Sequence, residues 1–345
     1  MHHIQHIPLL NSIWFLLVGI LLTGYAILDG FDFGVGILHL FVKKDEDRRI
    51  LLNSIGPVWD GNEVWLVTGG GALFAAFPDA YATVFSGFYN AFMLLLVALI
   101  FRAVAIEFRS KESSTLWRKS WDIAFSTGSF LAALLIGVAM GNITRGIHLD
   151  AQGDYIGNFL DLLNPYSLLL GITVVALFAM HGSIFLVLKT EGELQSTIKG
   201  WVPRLIALFL ILFLSFNAAT FFECPDLVTT MIKRPYGFAV LALDIAAAIS
   251  IGLMVKRGYE FGAFLMSALT MVLLMAVLGI SYFPNIVVSM PDPANSLTIV
   301  NAASSHKTLG YMFIIACIGV PIVLAYTVSI YWIFRGKTRL GHVGY

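Results

Sequence analysis

Long uninterrupted apolar runs constrain this chain more than any other feature of its sequence. Hydrophobic residues make up 58% of the 345 residues and charged residues 12%, whereas a globular domain averages about 25% charged residues. A transmembrane β-barrel would show segments of roughly ten residues that alternate apolar and polar side chains, but here the runs are continuous. The sequence therefore predicts an all-α, polytopic membrane protein whose residues 1–345 form a single membrane domain.

Nine of these runs are long enough to cross a bilayer, which takes about 20 residues of α-helix. The nine predicted spans are residues 12–40, 54–77, 81–108, 120–143, 165–188, 203–222, 237–256, 261–283 and 309–334. Two connections are long, at 145–164 and 285–308. The second is rich in Pro, Ser and Asn, and we expect it to be ordered against the rest of the protein rather than to act as a linker.

The basic residues predict an orientation for the spans. Sixteen Lys and Arg residues follow the odd-numbered spans, whereas four lie in the connections on the other side. Because connections on the cytoplasmic side carry the excess of Lys and Arg, the pattern predicts an N-terminus outside and a C-terminus in the cytoplasm. The net charge is zero, which gives no general attraction to nucleic acid.

Acidic residues interrupt the first two predicted spans at matching positions. Asp29 and Asp32 lie three residues apart, as do Asp60 and Glu63, and residues with this spacing share a helix face. At about 1.5 Å per residue, the two pairs lie at the same depths, roughly 16 and 21 Å from the basic connection between the spans. Arg102 lies roughly 10 Å from the basic end of the third span. We therefore expect four carboxyls and one guanidinium near one level of the membrane.

Three interpretations of this predicted layer remain open. It could be a buried ion cluster that only locks helices together, with Arg102 paired to one acid. One guanidinium cannot neutralise four carboxylates, however, and ionisable groups at membrane depth commonly mark a proton route. A proton path is therefore the favoured interpretation. The alternative is a proton-coupled secondary transporter, although the inverted repeats and broken helices of many transporters are not evident in the sequence.

Other residues at membrane depth have plainer interpretations. His181 could ligate a haem or relay a proton, but a lone buried histidine more often has a hydrogen-bonded core position, which is expected here. A second deep histidine is missing, so neither a haem nor a metal site is predicted. Trp59 and Trp65 could line a quinone pocket, with packing as the plainer role. Asp122 lies near a helix end, where solvation accounts for it. The glycines at 69–71 are expected to let another helix approach closely.

Several segments of the chain resemble one known family. Similarity to subunit II of the bacterial cytochrome bd quinol oxidases is found in LDGFDFGVG (28–36), DEDRRILLNSIGPVWDGNEVWLVTGGGALFAAFP (45–78), FRAVAIEFRSK (101–111) and NSLTIVNAASSHKTL (295–309). The resemblance implies nine helices, arranged as two four-helix bundles plus one, in the bacterial cytoplasmic membrane. It also implies a haem-free chain that stabilises a subunit I, which carries haem b, haem d and the quinol site.

The resemblance also implies roles for individual residues. A proton path through the Trp-Asp-Gly-Asn segment would involve Asp29, Asp32, Asp60, Glu63 and Arg102, and a structural quinone can be bound. Glu63 stands where some members of the family carry Gln. The expected partners are subunit I, quinone and membrane lipid, and the binding of small accessory subunits is left open.

Overall fold

The computed structural model describes residues 7–340, which form twelve α-helices, three short 3-10 helices and four short strands. The α-helices are α1 (Leu9–His39), α2 (Asp45–Ile55), α3 (Trp59–Ala76), α4 (Pro78–Gly87), α5 (Tyr89–Phe108), α6 (Thr115–Arg145), α7 (Pro165–Lys189), α8 (Gly192–Glu223), α9 (Pro225–Lys233), α10 (Tyr236–Lys256), α11 (Glu260–Tyr282) and α12 (His306–Ile333). The strands are β1 (Ile147–His148), β2 (Asn285–Val287), β3 (Ser289–Met290) and β4 (Leu297–Thr298).

Eight helices in this part of the chain are long and apolar enough to cross a membrane: α1, α5, α6, α7, α8, α10, α11 and α12. The second predicted span, 54–77, is not among them. It is interrupted at Pro57, where α2 has ended and α3 has not begun, because proline lacks an N–H and its ring crowds the preceding helical turn. The remaining helix, α3, has 18 residues. The count of nine spans therefore stays a prediction that depends on α3.

The other predicted spans correspond to helices, with two changes. The third span is divided at Phe88 into α4 and α5. The sixth begins at Gly192 rather than at residue 203, so that Pro203 lies inside α8. Proline is usually excluded from helix interiors, but here the helix continues through it.

Helix α7 lies at the centre of the helices and packs against α1, α6, α8 and α11. Its Gly182 lies directly against Gly34 of α1, where a side-chain carbon added to Gly182 would lie 2.5 Å from the Gly34 carbonyl carbon. A carbon added to Gly34 would overlap the Phe178 carbonyl oxygen. Small residues allow helix backbones to approach this closely in a membrane, so these two glycines set the distance between α1 and α7.

The glycines at 69–71 behave differently from one another. A side-chain carbon at Gly69 would lie 3.1 Å from Leu22 of α1, whereas carbons at Gly70 and Gly71 would meet no described atom within 4 Å. The predicted close approach of another helix is therefore limited to Gly69.

The two long connections pack together at one end of the helices. β1 pairs with β3 in parallel, and β2 pairs with β4 in antiparallel orientation. Asn11 Nδ2 donates to the Ile299 carbonyl oxygen at 2.6 Å, and the Ser304 N–H donates to the Ala76 carbonyl oxygen at 2.9 Å. The connection rich in Pro, Ser and Asn is thus ordered against the first helices, as predicted.

We expect Gly34→Ala to destabilise the protein by about 1–3 kcal/mol, the usual cost of overpacking a filled interior. Thermal unfolding of the purified protein in detergent measures the effect. Gly70→Ala is the matched control, because the added methyl group enters open space, and it should leave the melting temperature unchanged or slightly higher. Equal losses in the two variants would contradict a backbone contact at Gly34.

Candidate functional site

The predicted acids and Arg102 meet where α1, α3 and α5 come together. The buried guanidinium of Arg102 donates to both carboxylate oxygens of Asp29, with Nη1 3.0 Å from Oδ2. The same Nη1 donates to Glu63 Oε1 at 3.0 Å. Nη2 lies 3.9 Å from Asp32 Oδ2, and the guanidinium carbon lies 4.3 Å from the centre of the Phe33 ring. One cation therefore joins three carboxyls from two neighbouring helices, and we call this group of Asp29, Asp32, Glu63 and Arg102 the acid cluster.

The acid cluster contains more acids than it can neutralise. Asp29, Asp32 and Arg102 have no exposed surface, and the Glu63 side chain is 26% exposed. Buried charges are costly unless they are paired, and a single guanidinium balances one carboxylate of the three. The other carboxyls must therefore be protonated or hydrated.

Asp60 lies outside the acid cluster, on the exposed surface of α3. Three residues turn an α-helix by about 300°, so Asp60 and Glu63 point about 60° apart. That difference is enough for Glu63 to reach Arg102 while Asp60 faces outward. The predicted layer of four acids and one base is therefore three acids and one base, with Asp60 beside its partly exposed member.

Asn62 and Tyr331 extend the acid cluster toward α12. Asn62 Nδ2 donates to Asp32 Oδ2 at 2.7 Å and to the Leu28 carbonyl oxygen at 3.1 Å. Asn62 Oδ1 accepts a hydrogen bond from the Tyr331 hydroxyl at 2.8 Å. Asn62 is the last residue of the predicted Trp-Asp-Gly-Asn segment, but no individual role was expected for it or for Tyr331. Asn62 had a signal, since it is an amide within an apolar helix, whereas Tyr331 is one of 12 tyrosines with nothing in the sequence to distinguish it.

A cavity of about 690 Å³ lies beside Tyr331, and we call it the basal cavity. Its wall includes Asn53 from the last turn of α2, with Pro57 and Val58 from the break between α2 and α3. Because a water molecule takes up about 30 Å³ in the liquid, the basal cavity has room for roughly 20 waters. Through Tyr331 and Asn62, the cavity wall is connected by two hydrogen bonds to Asp32.

The two tryptophans beside the acids have packing contacts within the chain. Trp59 is buried in the main hydrophobic core. The Trp65 ring covers Gly24 of α1, where an added side-chain carbon would lie 2.5 Å from the ring. These contacts agree with the plainer of the two expected roles, and a quinone pocket at the tryptophans stays a prediction.

His181 and Asp244 lie apart from the acid cluster. His181 is buried on α7, with Nδ1 2.7 Å from Ser267 Oγ and Nε2 3.0 Å from the Ile27 carbonyl oxygen. Both ring nitrogens are thus engaged in a hydrogen-bonded core position, as expected. Asp244 is buried on α10, and its carboxylate oxygens meet no hydrogen-bond partner within residues 7–340. Nor do three or more His, Cys, Asp or Glu side chains in that range come together as metal ligands.

A second buried ion network lies nearer the helix ends. Asp122 on α6 accepts hydrogen bonds from Arg109 Nε at 2.5 Å and Arg48 Nη1 at 2.8 Å, and it lies 2.6 Å from His39 Nε2. The expectation that solvation accounts for Asp122 was wrong, because its carboxyl is buried beneath His39 of α1, Arg48 of α2 and Arg109, which directly follows α5. This network holds helix ends together and does not contact the acid cluster through any of these bonds.

Comparisons with known proteins find relatives over nearly the whole chain. A family model described as cytochrome bd terminal oxidase subunit II matches residues 10–334. The chain is 37% identical over 359 residues to cytochrome bd-I ubiquinol oxidase subunit 2 of Escherichia coli strain K12, covering 95% of each protein. It is 37% identical over 331 residues to cytochrome bd ubiquinol oxidase subunit 2 of Bacillus subtilis strain 168, covering 95% of this chain and 96% of that relative.

A solved structure has the same fold. The structure of bd oxidase from Geobacillus thermodenitrificans matches with a TM-score of 0.78 and 16% sequence identity, covering 95% of this chain and 99% of that one. At this identity the match supports the arrangement of the helices.

We expect Arg102→Gln to destabilise the protein strongly, because the buried Asp29 and Asp32 and the partly exposed Glu63 would lose their cation. Breaking a buried ion pair costs about 3–5 kcal/mol. Size-exclusion chromatography and thermal unfolding in detergent measure the loss of folded protein.

The matched control is Arg118→Gln, which removes a partly exposed ion pair with Asp45 at 3.1 Å. Such pairs contribute at most about 1 kcal/mol, so the control should unfold close to the wild-type temperature. Equal melting temperatures for the two variants would show that the Arg102 pairs do not hold the helices together.

Proposed function

The chain belongs to the family of cytochrome bd terminal oxidase subunit II, and on that basis we propose that it is the haem-free subunit II of a quinol:oxygen oxidoreductase in aerobic respiration. In this role it stabilises the haem-bearing subunit I and provides a proton path from the cytoplasm to the oxygen-reducing haem. Haem b, haem d and the quinol site belong to subunit I, and oxygen reduction is the chemistry that the bound haem supplies. The membrane is the bacterial cytoplasmic membrane.

The proposed architecture counts α3 as a ninth span, in two four-helix bundles plus one helix. Its 18 residues are close to the roughly 20 that a bilayer needs. The excess of basic residues supports an N-terminus outside and a cytoplasmic C-terminus. In this orientation the basal cavity opens toward the cytoplasm, since the basic residues Lys111, Lys189 and Arg335 contribute to its wall.

The proposed proton path is supported by two hydrogen bonds that connect the wall of the basal cavity to the acid cluster. The Tyr331 hydroxyl donates to Asn62, which donates to Asp32. An amide does not ionise, so Asn62 would position Asp32 while water from the cavity brings the proton to the carboxyl. The charge of Arg102 would then limit how many acids of the cluster hold a proton at once.

The far end of the proposed path is Asp60. Glu63 is partly exposed, and Asp60 faces outward from α3. A proton that reaches Asp60 could therefore pass to a protein that lies against this surface of α3. Subunit I would receive it there. A quinone contact at Trp59 and Trp65 stays a prediction, and so does the binding of small accessory subunits. A proton-coupled transporter would use the same acids, and the family relation favours the oxidase.

We expect Asp60→Asn to lower quinol oxidase activity of the assembled complex by roughly tenfold or more, because the amide keeps the size of the carboxyl but cannot carry a proton. Oxygen consumption with quinol measures activity, and the visible spectrum measures haem content. Asp79→Asn, at another exposed carboxyl on α4, is the matched control and should leave both unchanged.

Two results would overturn the role of Asp60 as a relay. Full activity with all haems present would exclude it from the proton path. Loss of haem from the complex would instead assign Asp60 to assembly.

We expect Tyr331→Phe to slow the oxidase by about fivefold, the kinetic equivalent of one hydrogen bond worth about 1 kcal/mol. The ring remains and only the hydroxyl that donates to Asn62 is lost. Tyr326→Phe is the matched control, since Tyr326 lies on the same helix and is 63% exposed. Stopped-flow proton uptake by the assembled complex measures the effect, and equal rates in the two variants would remove Tyr331 from the path.

A further inference from the structure

The wall of the basal cavity is strongly basic. Its ionisable side chains other than Tyr331 are one acid, Glu107, and five bases: Lys111, Lys189, Arg335, Lys337 and Arg339. Such a wall attracts anions and repels cations. The excess of basic residues on the cytoplasmic side accounts for Lys and Arg at this boundary. It does not account for the convergence of five of them on one cavity that holds a single acid.

Two of the five basic residues are neutralised within the chain. Lys337 Nζ lies 2.7 Å from Glu260 Oε2, and Arg339 Nε lies 3.0 Å from Glu191 Oε1. Among the described residues, no carboxylate forms an ion pair with Lys111, Lys189 or Arg335. The cavity wall therefore holds three cations whose charge is balanced at most by Glu107.

Two of these cations are held in place by neutral partners. Lys189 Nζ donates to the Phe334 carbonyl oxygen at 2.5 Å, and Arg335 Nη1 donates to the Trp332 carbonyl oxygen at 2.7 Å. A carbonyl orients a cation without cancelling its charge. An ammonium has three N–H donors and a guanidinium has five, so both groups keep donors for a ligand.

The segment after α12 keeps Arg335 beside Lys189. The Thr338 N–H donates to the Lys189 carbonyl oxygen at 2.7 Å, and Lys337 Nζ donates to the Val187 carbonyl oxygen at 3.1 Å. The chain from residue 334 to 339 thus lies against the end of α7. This arrangement builds the cationic wall from two distant parts of the chain, α5 to α7 and the C-terminal segment.

These cations lie at the level where lipid phosphates are found. Lys111 follows α5, Lys189 ends α7 and Arg335 follows α12, so each stands at the end of an apolar helix. Basic pockets between helices at the cytoplasmic boundary recognise the head groups of anionic phospholipids. The cavity volume of about 690 Å³ is within the range of small-molecule pockets.

We propose that the basal cavity binds the phosphate group of an anionic ligand, with Lys111, Lys189 and Arg335 as its cationic partners. The phosphodiester of an anionic phospholipid and free phosphate share this chemistry, and the test below separates them. The proposal goes beyond the proton path and does not depend on it. A phosphate in this position would also reduce the positive potential at the cavity mouth.

Binding of lipid to the assembled, delipidated complex tests the proposal. Native mass spectrometry follows the titration of phosphatidylglycerol, phosphatidylcholine and sodium phosphate. We expect the wild type to retain phosphatidylglycerol more tightly than phosphatidylcholine. The double variant Lys111→Gln with Arg335→Gln should bind phosphatidylglycerol about tenfold more weakly. Displacement of the lipid by millimolar phosphate would support free phosphate as the ligand. Retention of the lipid in millimolar phosphate would support the lipid as the ligand.

A matched double variant separates a site from general charge. Lys43→Gln with Lys119→Gln removes the same charge from exposed positions outside the cavity wall and should change affinity by less than about twofold. Equal losses in the two double variants would overturn the proposal, as would equal retention of the two lipids by a wild type that also binds no phosphate. The visible spectrum and size-exclusion profile verify assembly, and Lys111→Gln alone serves if the double variant fails to assemble. Since no turnover is measured, a negative result leaves the proton path untouched.

Discussion

The guanidinium of Arg102 donates to Asp29 on α1 and to Glu63 on α3 from its own position on α5. In water such pairs contribute little, because solvent competes for both partners. Inside the protein, separating them leaves isolated buried charges, which is far more costly. The position of α3 therefore depends on ion pairing, since much of its surface faces outward. The acid cluster, the outward direction of Asp60 and the contact of Asn62 with Tyr331 all depend on where α3 lies.

The helix break at Pro57 helps to form the basal cavity. Because α2 ends before it and α3 starts after it, the break leaves Asn53, Pro57 and Val58 in the cavity wall. A continuous helix through this region would fill that space with its own side chains. The same residue that prevents one long second span therefore helps to form the cavity beside Tyr331, which donates to Asn62 at the first turn of α3.

Apolar runs and acid spacing were sufficient to predict most of the helices and to bring together Asp29, Asp32, Glu63 and Arg102. Both signals are local, because they repeat within one helix. The exact rotation of α3, which separates Asp60 from Glu63, depends on packing and was not available from spacing. Tyr331 lies 269 residues from Asn62, and no local pattern reports a contact of that range. The burial of Asp122 was missed for the same reason, since its basic partners come from three other helices.

Helix α12 buries only Leu309 among its 28 residues. Asp60 faces outward on the nearby α3, and in the proposed nine-span architecture it would lie at membrane depth. Before assembly, hydrocarbon would surround both. An apolar helix is stable there, but a carboxyl is not, and it costs a few kcal/mol at the bilayer centre. In that architecture the unassembled chain would carry an exposed carboxyl that the proposed partner covers. Assembly would therefore stabilise this chain in the bilayer as well as complete the oxidase.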